Sequence, residues 1–247
     1  MSNLKAVEAV GKSKDFPLPR EILELHRFAY QCGRGFNPNK NEGLQHIHIE
    51  NVLYERGSET KTFLTAVATN GHHMARLRFK KEAKLSLPGI FKSGCFATKE
   101  VSEIQIRATN AKELLSRVKH DDGFTISLSG TRNLEFKKGT QTEVGIAHDI
   151  TTRTVEGGAY WFPDYLGMFN EFKKCNLSNN SDFKTEYLGL DLTYLVDLQK
   201  YLKAIKRPTG VKIYTNGITE GLGPVLIEKE YDTFLFDYLV MPIYMGD

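Results

Sequence analysis

The chain has 247 residues, enough for one large domain or two ordinary ones with a full core, and its 40% hydrophobic and 26% charged residues describe a globular protein. A formal charge of +3 is too small to argue for a nucleic-acid partner by itself, and three scattered cysteines, Cys32, Cys95 and Cys175, suit neither a disulfide framework nor a zinc knuckle. No apolar run reaches bilayer length and Met1–Lys14 lacks a signal-peptide core, so no membrane is implied and a reducing cytoplasm is the expected location.

In chain order, residues 1–14 mix Ala, Lys, Ser and Gly and read as a flexible tail. Asp15–Pro19 reads as an extended strand because two prolines forbid helix. A helix is predicted over Arg20–Gly33, with Ile22, Leu25, Phe28 and Ala29 on one stripe and Arg20, Glu24, Arg27 and Gln31 on the other. A Gly/Asn/Pro loop at 34–43 leads to strands at 44–54, 62–68 and 74–80. The last two form a hairpin. Leu64, Ala66 and Ala68 alternate with Thr65, Val67 and Thr69, and Asn70-Gly71 reverses the chain.

Residues 83–98 read as a connector. A strand at 103–108 and a helix at 111–119, capped by Asn110, follow. Strands are then expected at 124–129, 133–137, 143–149 and 153–157, closing at Phe162-Pro-Asp-Tyr165. A polar stretch makes 170–183 a linker. Beyond it come a strand at 185–191, a helix at 192–206 stopped by Pro208 and Gly210, and strands at 211–214, 225–229 and 234–240. The pattern is one supersecondary unit repeated three times, at 15–82, 99–169 and 184–247. The first two would form one domain over 15–169, and the third a half-domain of an α+β fold.

Three stretches carry a resemblance. Ala68-Thr-Asn-Gly-His-His-Met-Ala75 is similar to the Ala-Thr-Asp-Gly-His-Arg-Leu-Ala segment of the bacterial sliding clamp, the beta subunit of the replicative DNA polymerase. Phe162-Pro-Asp-Tyr165 resembles the segment that closes that family's middle domain, and Tyr238-Leu-Val-Met-Pro-Ile-Tyr-Met245 resembles its C-terminal Tyr-Val-Val-Met-Pro-Met-Arg-Leu. All three occur in the family's order.

The resemblance implies a DNA-clamp fold: strand–helix units forming a ring, sheets outside, helices lining a hole through which duplex DNA threads. Each predicted helix independently offers cations away from its apolar stripe: Arg20 and Arg27, with Arg34 just beyond; Lys112, Arg117 and Lys119; and Lys200, Lys203, Lys206 and Arg207. Such residues meet phosphates without reading bases, and their contacts weaken with salt. The resemblance also implies a pocket for polymerase and clamp-loader peptides. By position it would use Ile49, Thr69, Gly71, His72, His73, Met74 and Pro163 on one side. Val225, Leu239, Val240, Met241, Pro242, Ile243, Tyr244 and Met245 would line the other. Departures from the family pattern are His73 in place of arginine, and Leu166 and Gly167 in place of the arginines after Phe-Pro-Asp-Tyr. They make the pocket less positive.

The family's rings contain twelve units, six per chain in a bacterial dimer or four in an archaeal or eukaryotic trimer. Three units per chain therefore imply a homotetramer, and a trimer would mean a further unit. The short chain suggests a phage or mobile-element version, nucleoid-associated in the cytoplasm. No phosphate loop, nucleophile elbow or carboxylate pair suggests an enzyme. His46, His48, His72, His73 and Cys32 lack a following carboxylate or cysteine at ligand spacing, so no metal or other cofactor is expected. The rival reading is a clamp-fold protein that does not encircle DNA and instead sequesters clamp-binding peptides or regulates a host replisome.

Overall fold

The computed structural model describes residues 16–30, 42–56, 59–82, 87–88, 100–101, 103–117, 124–129, 133–138, 142–147, 151–153, 162–177, 190–206, 210–215 and 224–241. The chain begins with β1 (Phe16–Leu18) and α1 (Arg20–Glu24), which tightens into a 3-10 turn over Leu25–Phe28. The predicted helix is thus cut short. Ala29 turns extended (φ −73°, ψ 153°), and the Tyr30 N–H donates to the Leu44 carbonyl at 2.8 Å instead of continuing a helix. The predicted apolar stripe nonetheless holds, because Ile22, Leu25, Phe28 and Ala29 are all buried.

Three long antiparallel strands follow, β2 (His46–Arg56), β3 (Glu59–Thr69) and β4 (His73–Glu82). The 83–98 connector lies largely outside the described residues; β5 (Leu87–Pro88) pairs with β6 (Glu100–Val101) across it. Next come β7 (Glu103–Arg107) and α2 (Ala108–Arg117). This helix starts three residues earlier than expected, placing Asn110 inside its first turn rather than at the cap. Strands β8 (Phe124–Ser129), β9 (Asn133–Lys138), β10 (Thr142–Ala147) and β11 (Thr151–Arg153) complete the second unit.

Helix α3 (Tyr165–Leu177) has no counterpart among the predicted elements, and the linker expected over 170–183 begins inside it. Its signal was present as Tyr165, Phe169 and Phe172, one helical stripe. Of the strand expected at 185–191, only Leu190 and Asp191 are described, and they are irregular. Helix α4 (Leu192–Ala204) is capped by Asp191, whose carboxylate accepts from the Thr193 N–H at 2.8 Å and is held below its ordinary pKa chiefly by the Thr193 side chain and backbone. Strands β12 (Lys212–Thr215), β13 (Val225–Glu230) and β14 (Phe234–Val240) end the described chain.

Eight strands join antiparallel in the order β11-β7-β2-β3-β4-β14-β13-β12, a sheet running through all three units. A second sheet runs β1-β8-β9-β10. The first two units exchange strands: β1 pairs with β8 of the second, and β7 pairs with β2 of the first. Neither unit can complete its sheet alone. The third unit attaches edge to edge, with β14 on β4 from Phe234↔Phe79 to Val240↔His73.

The two faces of the large sheet differ. One buries Ile47, Ile49, Leu64, Ala66, Ala68, Ala75, Leu77, Ile104, Ile106, Ile227 and Phe236 beneath α1, α2 and α4. Phe28 sits where these elements meet, in ring contact with Tyr201, Phe236, Tyr238 and His73. A fully buried side chain of this size contributes about 1.5–3 kcal/mol. The other face carries a smaller apolar patch, Val67, Met74, Leu226 and Leu239, covered by Tyr165, Phe169 and Phe172 of α3. No described helix is long and apolar enough to cross a membrane.

Candidate peptide seam and basic helix layer

The β3–β4 tip is held by its own polar side chains. Asn70 Oδ1 accepts from the His72 and His73 N–H groups at 2.9 and 3.1 Å; Thr69 Oγ1 accepts from the Gly71 N–H at 3.1 Å and donates to the His73 carbonyl at 2.6 Å. Only Gly71 needs positive φ, +93°; a Cβ there would meet nothing closer than Leu44 Cδ1 at 3.8 Å, so backbone conformation rather than space asks for glycine.

The Met241 N–H, just past β14, donates to the His72 carbonyl at 2.9 Å. That bond joins the first and third sequence markers at one seam. Behind it, His73 is buried against Phe28, Tyr194 and Tyr238. Tyr238 donates its hydroxyl hydrogen to the Tyr194 carbonyl at 2.9 Å, so His73 Nδ1–H, 2.8 Å away, must be the donor to the phenol oxygen. Burial lowers the His73 pKa to about 4, leaving the ring neutral near pH 7, and burial likewise pushes the Tyr238 phenol up.

The second marker works on the opposite face. Asp164 Oδ1 accepts from the Gly167 N–H at 2.9 Å and caps α3. A Cβ on Gly167 would press on the Asp164 carboxylate, the end of an exposed side chain that can shift aside. Phe162 stacks on His48 at 4.7 Å, and the Tyr165 hydroxyl donates to Glu50. Arg76 lies 3.6 Å from the Phe169 ring centre, and both Arg76 and Arg78 hold Asp237, each with a 2.7 Å contact. Burial alone would raise the Asp237 pKa, but the two guanidiniums outweigh it and hold the carboxyl below its usual range.

The expected pocket residues divide by strand parity. Ile49, Val225 and Val240 are sealed in the helix-side core, at 0%, 1% and 0% exposure, so a peptide cannot reach them with the fold intact. Met74 and Leu239 are cross-strand neighbours on the other face, under α3; Thr69 is buried and Pro163 half-buried. Gly71, His72 and Met241 are exposed, Met241 at 40%. Pro242, Ile243, Tyr244 and Met245 lie outside the described residues. Sequence reasoning missed Leu226, Phe169, Phe172 and the Arg76–Asp237–Arg78 triad; the charges alternating on β4 were the available signal.

Helix α3 lies on one face of the sheet, and α1, α2 and α4 share one layer on the other. Lys112, Lys200, Lys203 and Lys206 are exposed there, Lys200 within 3.4 Å of Asp197. Arg20 and Arg27 are instead spent on the buried Glu24 carboxylate, at 3.3 and 3.0 Å. Arg117 ends α2, and Arg34, Lys119 and Arg207 fall outside the described residues. Among the described residues, one group of metal-ligating types comes together, His48, Glu50 and Glu103. The sequence alone does not lead to this group: Glu50 follows His48 by two residues on one strand face, and Glu103 arrives through the β2–β7 pairing.

Exchanged strands, an edge-joined third unit and one helix from each unit (α1, α2 and α4) on a common face define a DNA-clamp fold. Solved structures that match include bacterial sliding clamps. The Caulobacter crescentus DNA polymerase III beta subunit is 14% identical (TM-score 0.50), with 97% of this chain covered and 69% of that one. The Bacillus subtilis sliding clamp is 12% identical (TM-score 0.51), covering 99% and 68%. A Bartonella birtlesii sliding clamp bound to griselimycin is 15% identical (TM-score 0.50), covering 98% and 69%. No protein-family model and no curated protein matches the sequence. The likeness is one of fold over nearly the whole chain.

Proposed function

We propose that copies of this chain close into a ring around duplex DNA and tether polymerase and clamp-loader peptides at the seam between the β3–β4 tip and the end of β14. The observation carrying this reading is the layer of α1, α2 and α4, with exposed Lys112, Lys200, Lys203 and Lys206, on one face of a sheet continuous through all three units. Lysines on such a layer meet phosphates without base contacts, so the ring slides and its grip is salt-sensitive. Tethering raises the local concentration of a polymerase at the primer end and needs no chemistry from the clamp. Among the described residues the large sheet ends in β11 and β12, whose free edges suit head-to-tail joining. Twelve units made three at a time give four copies of the 28.0 kDa chain, about 112 kDa, against about 84 kDa for a trimer.

The test is retention on DNA. After incubation with circular plasmid and gel filtration, the chain should stay with the circle and leave once the circle is cut. Lys200→Glu with Lys203→Glu should reduce retention severalfold. Equal loss from circular and linear DNA would reject encirclement. The pairing of Arg20 and Arg27 on Glu24 thins the basic layer in the first unit and favours a second reading, a clamp-fold protein that sequesters clamp-binding peptides without encircling DNA. That protein would bind such peptides yet show no difference between circular and linear DNA.

A further inference from the structure

We infer that His48, Glu50 and Glu103 form a binding site for one divalent transition-metal ion of the zinc or cobalt class, pinning the first unit to the second. The register brings the three together: Glu50 and Glu103 are direct cross-strand partners, and His48 is one residue pair along on the same face. His48 Nε2 lies 3.6 Å from Glu50 Oε2, and Nδ1 lies 3.4 Å from Glu103 Oε1. One ligand atom from each residue falls within 4.8 Å of the other two.

Two features favour a metal ion over simple hydrogen bonding. The N···O separations exceed the 2.7–3.2 Å of good hydrogen bonds. An imidazole ligates an ion through one nitrogen only, and one such nitrogen with a carboxylate oxygen from each glutamate lies within 4.8 Å of the other two, so a small closing of the side chains reaches the about 3.4 Å between donors that share a tetrahedral ion with bonds of roughly 2.1 Å. The site is also walled in, with side chains 7%, 24% and 10% exposed for His48, Glu50 and Glu103. Two carboxylates placed opposite each other repel, and a cation shared between them relieves that repulsion. An imidazole nitrogen with carboxylate oxygens suits zinc, cobalt or nickel better than magnesium or calcium, which prefer all-oxygen shells.

The supporting shell comes from the Phe162–Tyr165 marker. Phe162 stacks on the His48 ring and fixes its plane, while the Tyr165 hydroxyl donates to Glu50 and orients that carboxylate. An ion here would bridge β2 and β7, the strands through which the first two units join, and would hold the start of α3 against them.

The test starts from chelator-treated full-length chain titrated with Co²⁺, read by visible absorption, with Zn²⁺ as competitor and a thermal melt alongside. One Co²⁺ per chain should bind saturably, and Zn²⁺ at about 100 times its Kd should raise Tm by roughly 5–10 °C. His48→Gln and Glu103→Gln should each weaken binding at least about 10-fold, and Tyr165→Phe about 10-fold with far-UV dichroism unchanged. His72→Gln, which alters an exposed imidazole elsewhere, should leave the titration as it was. Absence of saturable Co²⁺ binding by the unaltered chain would overturn the inference without any variant having to fold. So would binding that survives both His48→Gln and Glu103→Gln, or that is lost with His72→Gln.

Discussion

The two faces of the eight-stranded sheet do different work. The helix side is a continuous apolar layer in which α1, α2 and α4 share one core, and any large truncation there is felt by all three units. Among the described residues the opposite side carries a row across six strands of Gln105, His48, Arg76, Asp237 and Glu228, interrupted by Val67, with an apolar patch under α3. Burial on the first face is non-directional and tolerant. On the second, each charge depends on a particular neighbour. Stability is therefore spread over the helix side and concentrated at a few pairs on the other.

The largest effect that sharpens this contrast is expected at Asp237. Replacing it by Asn leaves Arg76 and Arg78 without their shared carboxylate at a site where Asp237 is 1% exposed. Chemical denaturation should show a loss of about 3–5 kcal/mol. A loss under 1 kcal/mol would mean that the triad is solvated and the two faces are alike.

A smaller, pH-dependent effect belongs to His73 on the helix side. Its folded pKa, about 4, lies below the unfolded value of 6.5. Between those values the unfolded chain binds more protons than the folded one, so stability falls as pH drops from about 6.5 towards 4 and is constant above that window. The total is about 3 kcal/mol. His26, also lowered by burial, adds to the same window. His73→Gln should flatten much of the slope in urea midpoints taken across pH 4–7; an unchanged slope would assign the titration to other groups.

The smallest effect is the α4 cap. Asp191→Ala should loosen the start of the helix, read as faster hydrogen exchange at Thr193 and Tyr194. Loss of exchange protection spreading to Phe28 would show that the cap is coupled to the core rather than local.

Local periodicity explains what was legible in the sequence. The β3–β4 hairpin was readable because Leu64, Ala66 and Ala68 alternate with Thr65, Val67 and Thr69, and the sheet honours that parity. The α1 stripe survived even though the helix stopped early, because the competing bond from Tyr30 to Leu44 spans a loop that the sequence cannot close. Helix α3 is hidden in the sequence because the Phe162–Tyr165 marker reads as an end and the polar stretch after Cys175 as a linker. The Tyr165, Phe169 and Phe172 stripe went uncounted. For the site, the marker positions met at the seam through Met241 and His72, but a linear motif does not reveal which face of a sheet each residue takes. That is why Ile49, Val225 and Val240 proved to be core. The pairing of Glu50 with Glu103 depends on a register between distant strands, beyond the reach of local pattern.

The measurement that bears most directly on the account is the native mass of the assembly, taken with images of single particles. The account predicts about 112 kDa, four copies of the 28.0 kDa chain, seen as an annulus whose opening admits a double helix. A lone 28.0 kDa globule, or a closed particle with no such opening, would contradict it.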